Sequence, residues 1–568
     1  MKKRFWTGRF EGYSWEYFQK DLLSGVIVGI IAIPLGMAFA VASGVNPEYG
    51  IYTTIIAGIL ISLFGGSRFQ IGGPTGAFIP ILLGIVITYG YADLLLAGFM
   101  AGIMLVLMGI FKLGTLIKYM PRPVTIGFTS GIAVIIFTGQ IGNFLGLSDL
   151  EKHEKFLANM REIFLHIDSV SLYSIITAVV CLIAILLTPK LMPGVPGPLV
   201  GLVVSTVVAA LFFSGNIPTI GTVFGEIASG FPAFQMPEIT LERVLRLLVP
   251  AFTIAMLGGI ESLLSAVVAD GMTNSKHNSN RELVGQGVAN IVTPLFGGIP
   301  ATGAIARTAT NIKSGAYSPM SGIIHGIFVL TTLLLLAPYA SHIPLASMAP
   351  VLMVVAWNMS ERKQFAHVLK MKSGDSLVLL ATFLLTVFTS ITTAVVAGII
   401  LAIILFAKRM SSMLVISKVF PDETPKEETA KLRVLHQLKD YPEISIYTIE
   451  GPLFFGAAQV FEQRVLKTIN YRPKVLILHM GRVPFMDSTG AAHFKNILDH
   501  FKSHGGVLLV AGVAPSLKET LKKSGLYEEI GGGNVFDDAE DAVAYAKSLA
   551  GSAAAEKRGA IKGTEQFV

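Results

Sequence analysis

At 568 residues the chain is 52% hydrophobic and only 14% charged, against about 25% charge in a soluble protein, which excludes an ordinary cytosolic globule. Seven charges lie in residues 1–20, 36 in 21–409 and 38 in 410–568, so a large membrane domain precedes a small soluble one. The net charge of +7 does not mark a nucleic-acid binder, because the lysines and arginines follow the turns between apolar runs. The single cysteine, Cys181, excludes an internal disulfide and a multi-cysteine metal cluster.

The first apolar run, Leu22 to Ser43, is long enough to cross a bilayer core, for which about 20 helical residues are needed. Ala38-Phe39-Ala40 resembles a signal-cleavage site, but the run is too long for a signal segment and many like it follow, so it reads as a retained helix. Further spans are predicted at 51–65, 75–89, 93–111, 123–145, 171–188, 198–214, 244–268, 283–297, 302–312, 319–337, 343–358, 376–390 and 392–407. That makes about fourteen, some of them short, broken or re-entrant.

Charge sets the expected orientation. Lys2, Lys3, Arg4, Arg9, Lys112, Lys118, Arg122, Lys190, Lys276, Arg281, Lys313, Arg362, Lys363, Lys370, Lys372, Lys408 and Arg409 share one side if the N-terminus is cytoplasmic and spans alternate. The opposite connections at 44–50, 89–93, 215–240, 337–343 and 390–393 contain neither lysine nor arginine. Both termini are therefore expected inside. The exception is 149–168, where Lys152, Lys155 and Arg161 are mixed with five acids, which suggests a folded external segment.

Gly72-Gly73-Pro74-Thr75-Gly76-Ala77 opens the third apolar segment and Gly297-Gly298-Ile299-Pro300-Ala301-Thr302-Gly303-Ala304 opens the tenth. Each lies 50 residues past the start of an apolar run, at Leu22 and at Leu247. Seven spans separate the two motifs, and an odd number inverts the second copy in the membrane. Paired Gly/Pro-interrupted segments in two inverted halves point to a transporter's midplane site. In the tail, strands are expected at Ile444–Glu450, Val475–His479 and Gly506–Ala511, with helices at Ala457–Ile469, Thr489–Phe501 and Pro515–Lys523, a small α/β domain. The expected boundaries are a cytoplasmic segment at 1–20, a membrane domain at 21–409 with repeats at about 21–215 and 243–409, a linker at 410–430, the α/β domain at 431–550 and a disordered tail at 551–568.

A helix that begins near mid-membrane leaves its first N–H groups unpaired and carries partial positive charge there, so anions bind such ends. Two half-helices starting near Thr75 and Thr302 would face each other and offer the N–H groups of Thr75, Gly76, Ala77, Gly303, Ala304 and Ile305. Arg307, about one turn into the second, would either pair with an anion's oxygens or form a salt bridge with Glu261. Glu261 is the only acid in the apolar part of 244–268, and is either a proton-carrying coupling residue or a permanently ionised partner of that arginine. Ser265, four residues on, lies on the same helix face and would share a cation or a hydrogen bond with it. In the tail, Asp487-Ser488-Thr489-Gly490 stands between a strand and a helix, which places Ser488 and Thr489 near an N-cap. No Walker loop, zinc pattern, nucleophile elbow or dinucleotide fingerprint occurs, so no catalytic residue is assigned and the chain does not read as an enzyme.

The order of Ile33-Pro34-Leu35-Gly36-Met37-Ala38-Phe39-Ala40, the Gly-Gly-Pro-Thr-Gly segment, Gly258-Gly259-Ile260-Glu261-Ser262-Leu263-Leu264-Ser265 and the run from Gly297 to Asn311 resembles the SulP sulfate-permease family, relatives of prestin and pendrin. The tail, with Asp487-Ser488-Thr489-Gly490, resembles that family's STAS domain. The likeness runs from about residue 15 to 550. It implies an α-helical polytopic membrane protein with fourteen transmembrane segments in two inverted repeats of seven, a core domain moving against a gate domain, and usually a homodimer in the cell membrane with N-terminus and STAS domain cytoplasmic. It places a small anion (sulfate, bicarbonate or a C4-dicarboxylate) between the third and tenth segments and adds Phe39 as a lining residue. Where family members often carry glutamine after the proline of the first helix, this chain has Leu35. Sodium-coupled bicarbonate members tend to have aspartate at the position of Glu261, whereas glutamate resembles proton-coupled members; no cofactor is implied beyond the coupling ion. Ser488 matches the phosphorylatable serine of related anti-sigma-factor antagonists. The other readings are a membrane anion sensor signalling through STAS without net transport, and sodium-coupled bicarbonate uptake.

Overall fold

The computed structural model describes residues 13–117, 120–192, 194–227, 229–418, 441, 443–468 and 473–550. The chain divides into two compact units, Met1–Ala402 and Ile403–Val568. Among the described residues a helix coincides with each of the fourteen predicted runs, beside further short ones such as Phe156–Leu165 and Arg362–Lys370. The first seven are α1 (Trp15–Ala42), α2 (Pro47–Phe64), α3 (Ile79–Tyr89), α4 (Tyr91–Ile110), α5 (Arg122–Gly139), α6 (Leu172–Leu191) and α7 (Gly197–Phe212). The second seven are α8 (Leu241–Thr273), α9 (Ser279–Val292), α10 (Ile305–Lys313), α11 (Met320–Ala340), α12 (Leu345–Met359), α13 (Gly374–Phe388) and α14 (Ile391–Ser412). Among the described residues eight helices are long and apolar enough to cross a membrane, and Gly76–Tyr89, Gly197–Phe212 and Gly374–Phe388 are shorter apolar helices. At nine residues α10 is too short to span. It is a half-helix, as its Gly/Pro-rich approach predicts.

Helix packing sorts the first unit into a core and a gate. In the core, α4 lies on α8 and α9, while α1 and α2 lie on α11. In the gate, α5 packs against α12 and α13, and α6 against α7 and α12. Small residues set the close approaches, since lipid tails supply little drive for helix association and contact distance decides it. A Cβ on Gly102 of α4 would lie 2.8 Å from the Gly287 carbonyl of α9, and one on Gly287 would lie 2.6 Å from the Gly102 carbonyl. Large apolar side chains such as Leu211, Leu335 and Ile404 are exposed on the outer helix faces, the pattern expected where lipid is the solvent.

The two halves meet at a two-stranded antiparallel ribbon, β1 (Gly72–Gly73) with β2 (Thr302–Gly303), in the register Gly72↔Gly303 and Gly73↔Thr302. Two buried carboxylates hold the halves together elsewhere. Asp21 of α1 accepts from the N–H groups of Tyr317 and Ser318 at 2.7 and 3.0 Å. Glu282 of α9 accepts from the N–H groups of Gly66 and Ser67 at 2.7 and 2.9 Å and from the Gln286 amide at 2.8 Å. Each joins elements more than 200 residues apart in sequence. A carboxylate satisfied by several N–H donors tolerates burial that an unpaired one would not.

The second unit is a five-stranded sheet in the order β3-β4-β5-β6-β7, formed by β3 (Val415–Lys418), β4 (Ile444–Glu450), β5 (Val475–Arg482), β6 (Val507–Ala511) and β7 (Val535–Phe536). Only the β3–β4 pair is antiparallel. Helices α15 (Ala458–Thr468), α16 (Ser488–Ser503) and α17 (Pro515–Lys523) join the strands. Alternation along the strands divides the core: Leu476 and Leu478 face the cluster holding Phe461 and Phe494, while Val475 and Ile477 face Ala542, Val543 and Ala546 of a helix at 539–550. Strand β3 corrects the expected 410–430 linker. Its four residues carry too little periodicity to be seen alone, and they form a strand because β4 offers an edge from Val415↔Glu450 to Lys418↔Tyr447. The start of that linker, to Ser412, is the end of α14, while 419–430 and the tail at 551–568 lie outside the described residues.

Candidate anion site at the facing half-helices

Strands β1 and β2 end at the starts of the two half-helices. After Pro74 the chain passes through extended Thr75 (φ −128°, ψ 156°) into a short turn, Gly76–Phe78, that feeds α3. After Gly303 it passes through extended Ala304 (φ −93°, ψ 110°) into α10. Neither start has a side-chain cap. Thr75, which could have capped its own helix, instead donates its hydroxyl to Glu261 Oε2 of α8 at 2.8 Å. One expected donor drops out: the Ala304 N–H is engaged by the Ile71 carbonyl at 2.8 Å, as the ribbon continues one step beyond Gly303. Gly303 lies within that ribbon opposite Gly72. Gly76 and Ala77 are buried, Thr75 is partly exposed, and Ile305 at 39% is exposed.

Arg307 is 3% exposed. Its Nη2 donates to the Pro74 carbonyl of the other half, and its Nη1 has no hydrogen-bond partner. Gly73 makes the room: its φ of +149° suits glycine, and a Cβ there would lie 2.6 Å from Nη1. Among the described residues no ion pair joins Arg307 to Glu261, so the salt-bridge alternative is not what the side chains adopt. Glu261 is 7% exposed, with the Thr75 hydroxyl as its hydrogen-bond donor. The two charges thus hold opposite edges of the same motif, Glu261 through Thr75 and Arg307 through Pro74.

Ser265 does not reach Glu261. It donates to Thr308 Oγ1 at 3.2 Å, and that oxygen also accepts from the Ile71 N–H at 3.1 Å. Two further contacts escape sequence reasoning: Thr302 Oγ1 donates to the Gly258 carbonyl at 2.8 Å, and Gln70 Nε2 to the Ser262 carbonyl at 3.2 Å. Both fasten the Gly258–Ser265 stretch of α8 to the strands, so that Glu261 is held at the mouth of α3. Phe39 of α1 is buried beside the first half-helix, where a Cβ on Gly76 would lie 3.6 Å from its ring, 3.3 Å from Ile136 and 3.0 Å from the Met359 sulfur. Ile136 and Met359 belong to the gate, and nothing in their sequence setting distinguishes them from other apolar helix residues. Leu35 is buried in the core cluster. In the second unit the N-cap of α16 is Asp487, which accepts from Gly490 N at 2.7 Å and Phe455 N at 3.0 Å, and Ser488 is the exposed first residue of the helix.

Two facing helix starts with a buried, half-satisfied guanidinium between them form a receptor for negative charge. Residues 18–382 match the sulfate permease family and residues 436–542 the STAS domain. The chain belongs to the sulfate permease family. It is 55% identical over 531 residues to YvdB of Bacillus subtilis (strain 168), covering 94% of this chain and 98% of that protein. It is 29% identical over 539 residues to the bicarbonate transporter BicA of Picosynechococcus sp., covering 90% and 91%. The solved transmembrane domain of a cyanobacterial BicA superposes with a TM-score of 0.61 at 31% identity over 69% of this chain and 98% of that one. Murine solute carrier 26 family member A9 superposes with a TM-score of 0.83 at 19% identity over 95% and 93%. The protein is therefore a multi-pass anion transporter with a C-terminal STAS domain, and not an enzyme.

Proposed function

We propose that the protein is a proton-coupled secondary active transporter that moves a small divalent oxyanion, sulfate or a C4-dicarboxylate, by alternating access from the site between α3 and α10. The observation that carries the reading is Arg307, a buried guanidinium with one nitrogen left without a partner at the start of a half-helix. Charge balance supports the ligand class. Two helix N-termini, each equivalent to roughly +0.5 charge, and one guanidinium oppose about two negative charges. An ionised Glu261 would cancel one of them, and a protonated Glu261 would not. A dianion and a proton therefore favour each other's presence in the site, which is the thermodynamic condition for symport. Thr75, Gly76, Ala77, Gly303 and Ile305 would supply backbone donors, and Phe39 would cover the site from α1. Ser265 would support the site by holding Thr308 and, through it, the Ile71 N–H at the end of the ribbon, and would not touch Glu261.

The N-terminus and the STAS domain are placed in the cytoplasm on the lysine and arginine distribution, the protein in the cell membrane among lipid, and the working unit as a homodimer. No cofactor is required beyond the coupling ion, and Ser488, exposed at the start of α16, is the candidate phosphorylation site. A second reading is sodium-coupled bicarbonate uptake, its substrate supported by the likeness to the bicarbonate transporter BicA. Uptake of labelled sulfate, succinate and bicarbonate into proteoliposomes, under imposed proton or sodium gradients, tests the proposal. Sulfate or succinate uptake driven by the proton gradient supports it, and bicarbonate uptake driven only by sodium overturns it in favour of the second reading.

A further inference from the structure

A cavity of about 460 Å3 with polar residues in its walls lies between core and gate. It begins one turn along α3 from the candidate site, at Pro80, and beside Ile136 on α5, at Ile135. Phe39, Ile136 and Met359 lie around the Gly76 position of the candidate site and do not line this cavity. Its walls carry threonine hydroxyls from α3, α5, α8 and α13, and the segment around 153–160, between α5 and α6, forms its roof.

Among the described residues the cavity lining holds one arginine and no lysine. Arg246, on the second turn of α8, is 48% exposed and donates to Asp93 Oδ2 at 2.6 Å. Asp93 is buried and is shared: its other oxygen accepts from Arg243 at 2.6–2.7 Å. One carboxylate thus serves two guanidinium groups. The further acid on Arg243, Glu238, is 3.4 Å away and 89% exposed, so water screens it. Arg246 also stacks over the Tyr89 ring at 5.6 Å, which fixes its direction. The Arg243–Asp93–Arg246 cluster therefore carries net positive charge, and Arg246 is the member of it that lines the cavity. The roof contributes Glu154, exposed to water and packed over Gly84, and His153, 3.6 Å from Glu162. Neither pairs with Arg246 among the described residues.

We propose that this cavity is an outer antechamber that receives small oxyanions before they reach the half-helix site, with Arg246 as its capture residue. The proposal rests on the transport reading above and adds a second, weaker anion site along the same route. A cation set among hydroxyls in a walled cleft raises the local anion concentration and the rate of arrival, and ionic strength screens it. Loss of Arg246 therefore acts on KM at low ionic strength, while turnover at saturation is governed by the inner site.

The experiment is uptake of labelled sulfate, succinate and bicarbonate by Arg246→Cys in proteoliposomes, before and after a membrane-impermeant methanethiosulfonate carrying either a positive or a negative charge. The one native cysteine, Cys181, is buried in the structure. The expected result is a KM raised about threefold to tenfold with kcat little changed. The cationic reagent restores KM and the anionic one raises it further, and the wild-type kcat/KM falls with added salt more steeply than that of the variant. An unchanged KM, a loss confined to kcat, or equal effects of both reagents would overturn the proposal, since a purely structural role of the Asp93 pairing is blind to the sign of the reagent. If Arg246→Cys does not insert, Arg246→Gln and Arg246→Lys give the same contrast, with raised KM in the first and near wild-type KM in the second. Wild-type protein that transports none of the three anions refutes the transport reading itself, whereas transport with unchanged KM refutes the antechamber alone.

Discussion

Replacing Glu261 by glutamine keeps the shape of the coupling residue and removes its ability to carry a proton. The Thr75 hydroxyl that now donates at 2.8 Å to Oε2 finds an amide oxygen in the same place, so the α3 start should hold its position. The candidate site contains one buried carboxylate, hence one proton per cycle. With the membrane potential clamped at zero, an inward gradient of one pH unit then supports about tenfold accumulation, or about 1.4 kcal/mol. In Glu261→Gln that accumulation should fall to unity. Exchange of labelled for unlabelled anion, which needs no net proton movement, should persist within a few-fold of wild type. Both quantities come from one proteoliposome preparation, by following label uptake with a pH gradient and then with internal unlabelled anion. Tenfold accumulation by Glu261→Gln, or wild-type accumulation indifferent to the pH gradient, would refute the assignment. So would loss of exchange in a correctly inserted variant, which would make Glu261 a structural anchor for Thr75.

Arg307→Ala removes charge-assisted hydrogen bonds worth about 1.5–3 kcal/mol each, so substrate affinity measured by calorimetry on monodisperse protein should fall at least about tenfold; wild-type affinity would remove Arg307 from the site. Gly73→Ala meets both a φ of +149° and a Cβ 2.6 Å from Arg307 Nη1. It should cost about 1–3 kcal/mol in thermal unfolding and lower affinity as well, and an unperturbed variant would show that the ribbon relaxes easily. Truncation after Ser412, placed there because β3 belongs to the second unit, should leave anion binding intact, since every proposed ligand precedes it. Loss of binding by well-behaved truncated protein would bring the STAS domain into the site.

The half-helices were legible because glycine and proline interrupt two apolar runs at the same offset, and because a cation and a carboxylate inside apolar helices are costly enough to mark a site. The ribbon that joins them was not. A two-residue strand has no period, and Gly72 and Gly303 become partners only when helices distant in sequence bring them together. The same tertiary origin explains the errors in detail. Of the two readings that charge left open for Arg307, the salt bridge to Glu261 is not formed, because backbone and hydroxyl groups beside the ribbon engage both side chains. Ser265 has the right helical spacing for Glu261 and nevertheless turns to Thr308, a residue from another helix that no spacing argument within α8 includes. Ile136 and Met359 wall the site as plain apolar side chains, and their sequence setting gives no sign of which ones will face it.

The antiparallel ribbon also orders events in time. Gly72 emerges from the ribosome some 230 residues before its partner Gly303, a delay of roughly 10–50 s at about 5–20 residues per second. Asp21 waits longer for Tyr317 and Ser318, and Gly66 and Ser67 wait for Glu282. The first seven helices therefore enter the bilayer before the N–H groups of Gly66 and Ser67 can meet Glu282, and with Asp21 on α1 held by the Tyr13 hydroxyl but not yet by Tyr317 and Ser318. During that interval the nascent half is an incomplete molecule that only its own second half can finish, so co-expressed halves should protect one another from membrane proteases where either half alone is degraded.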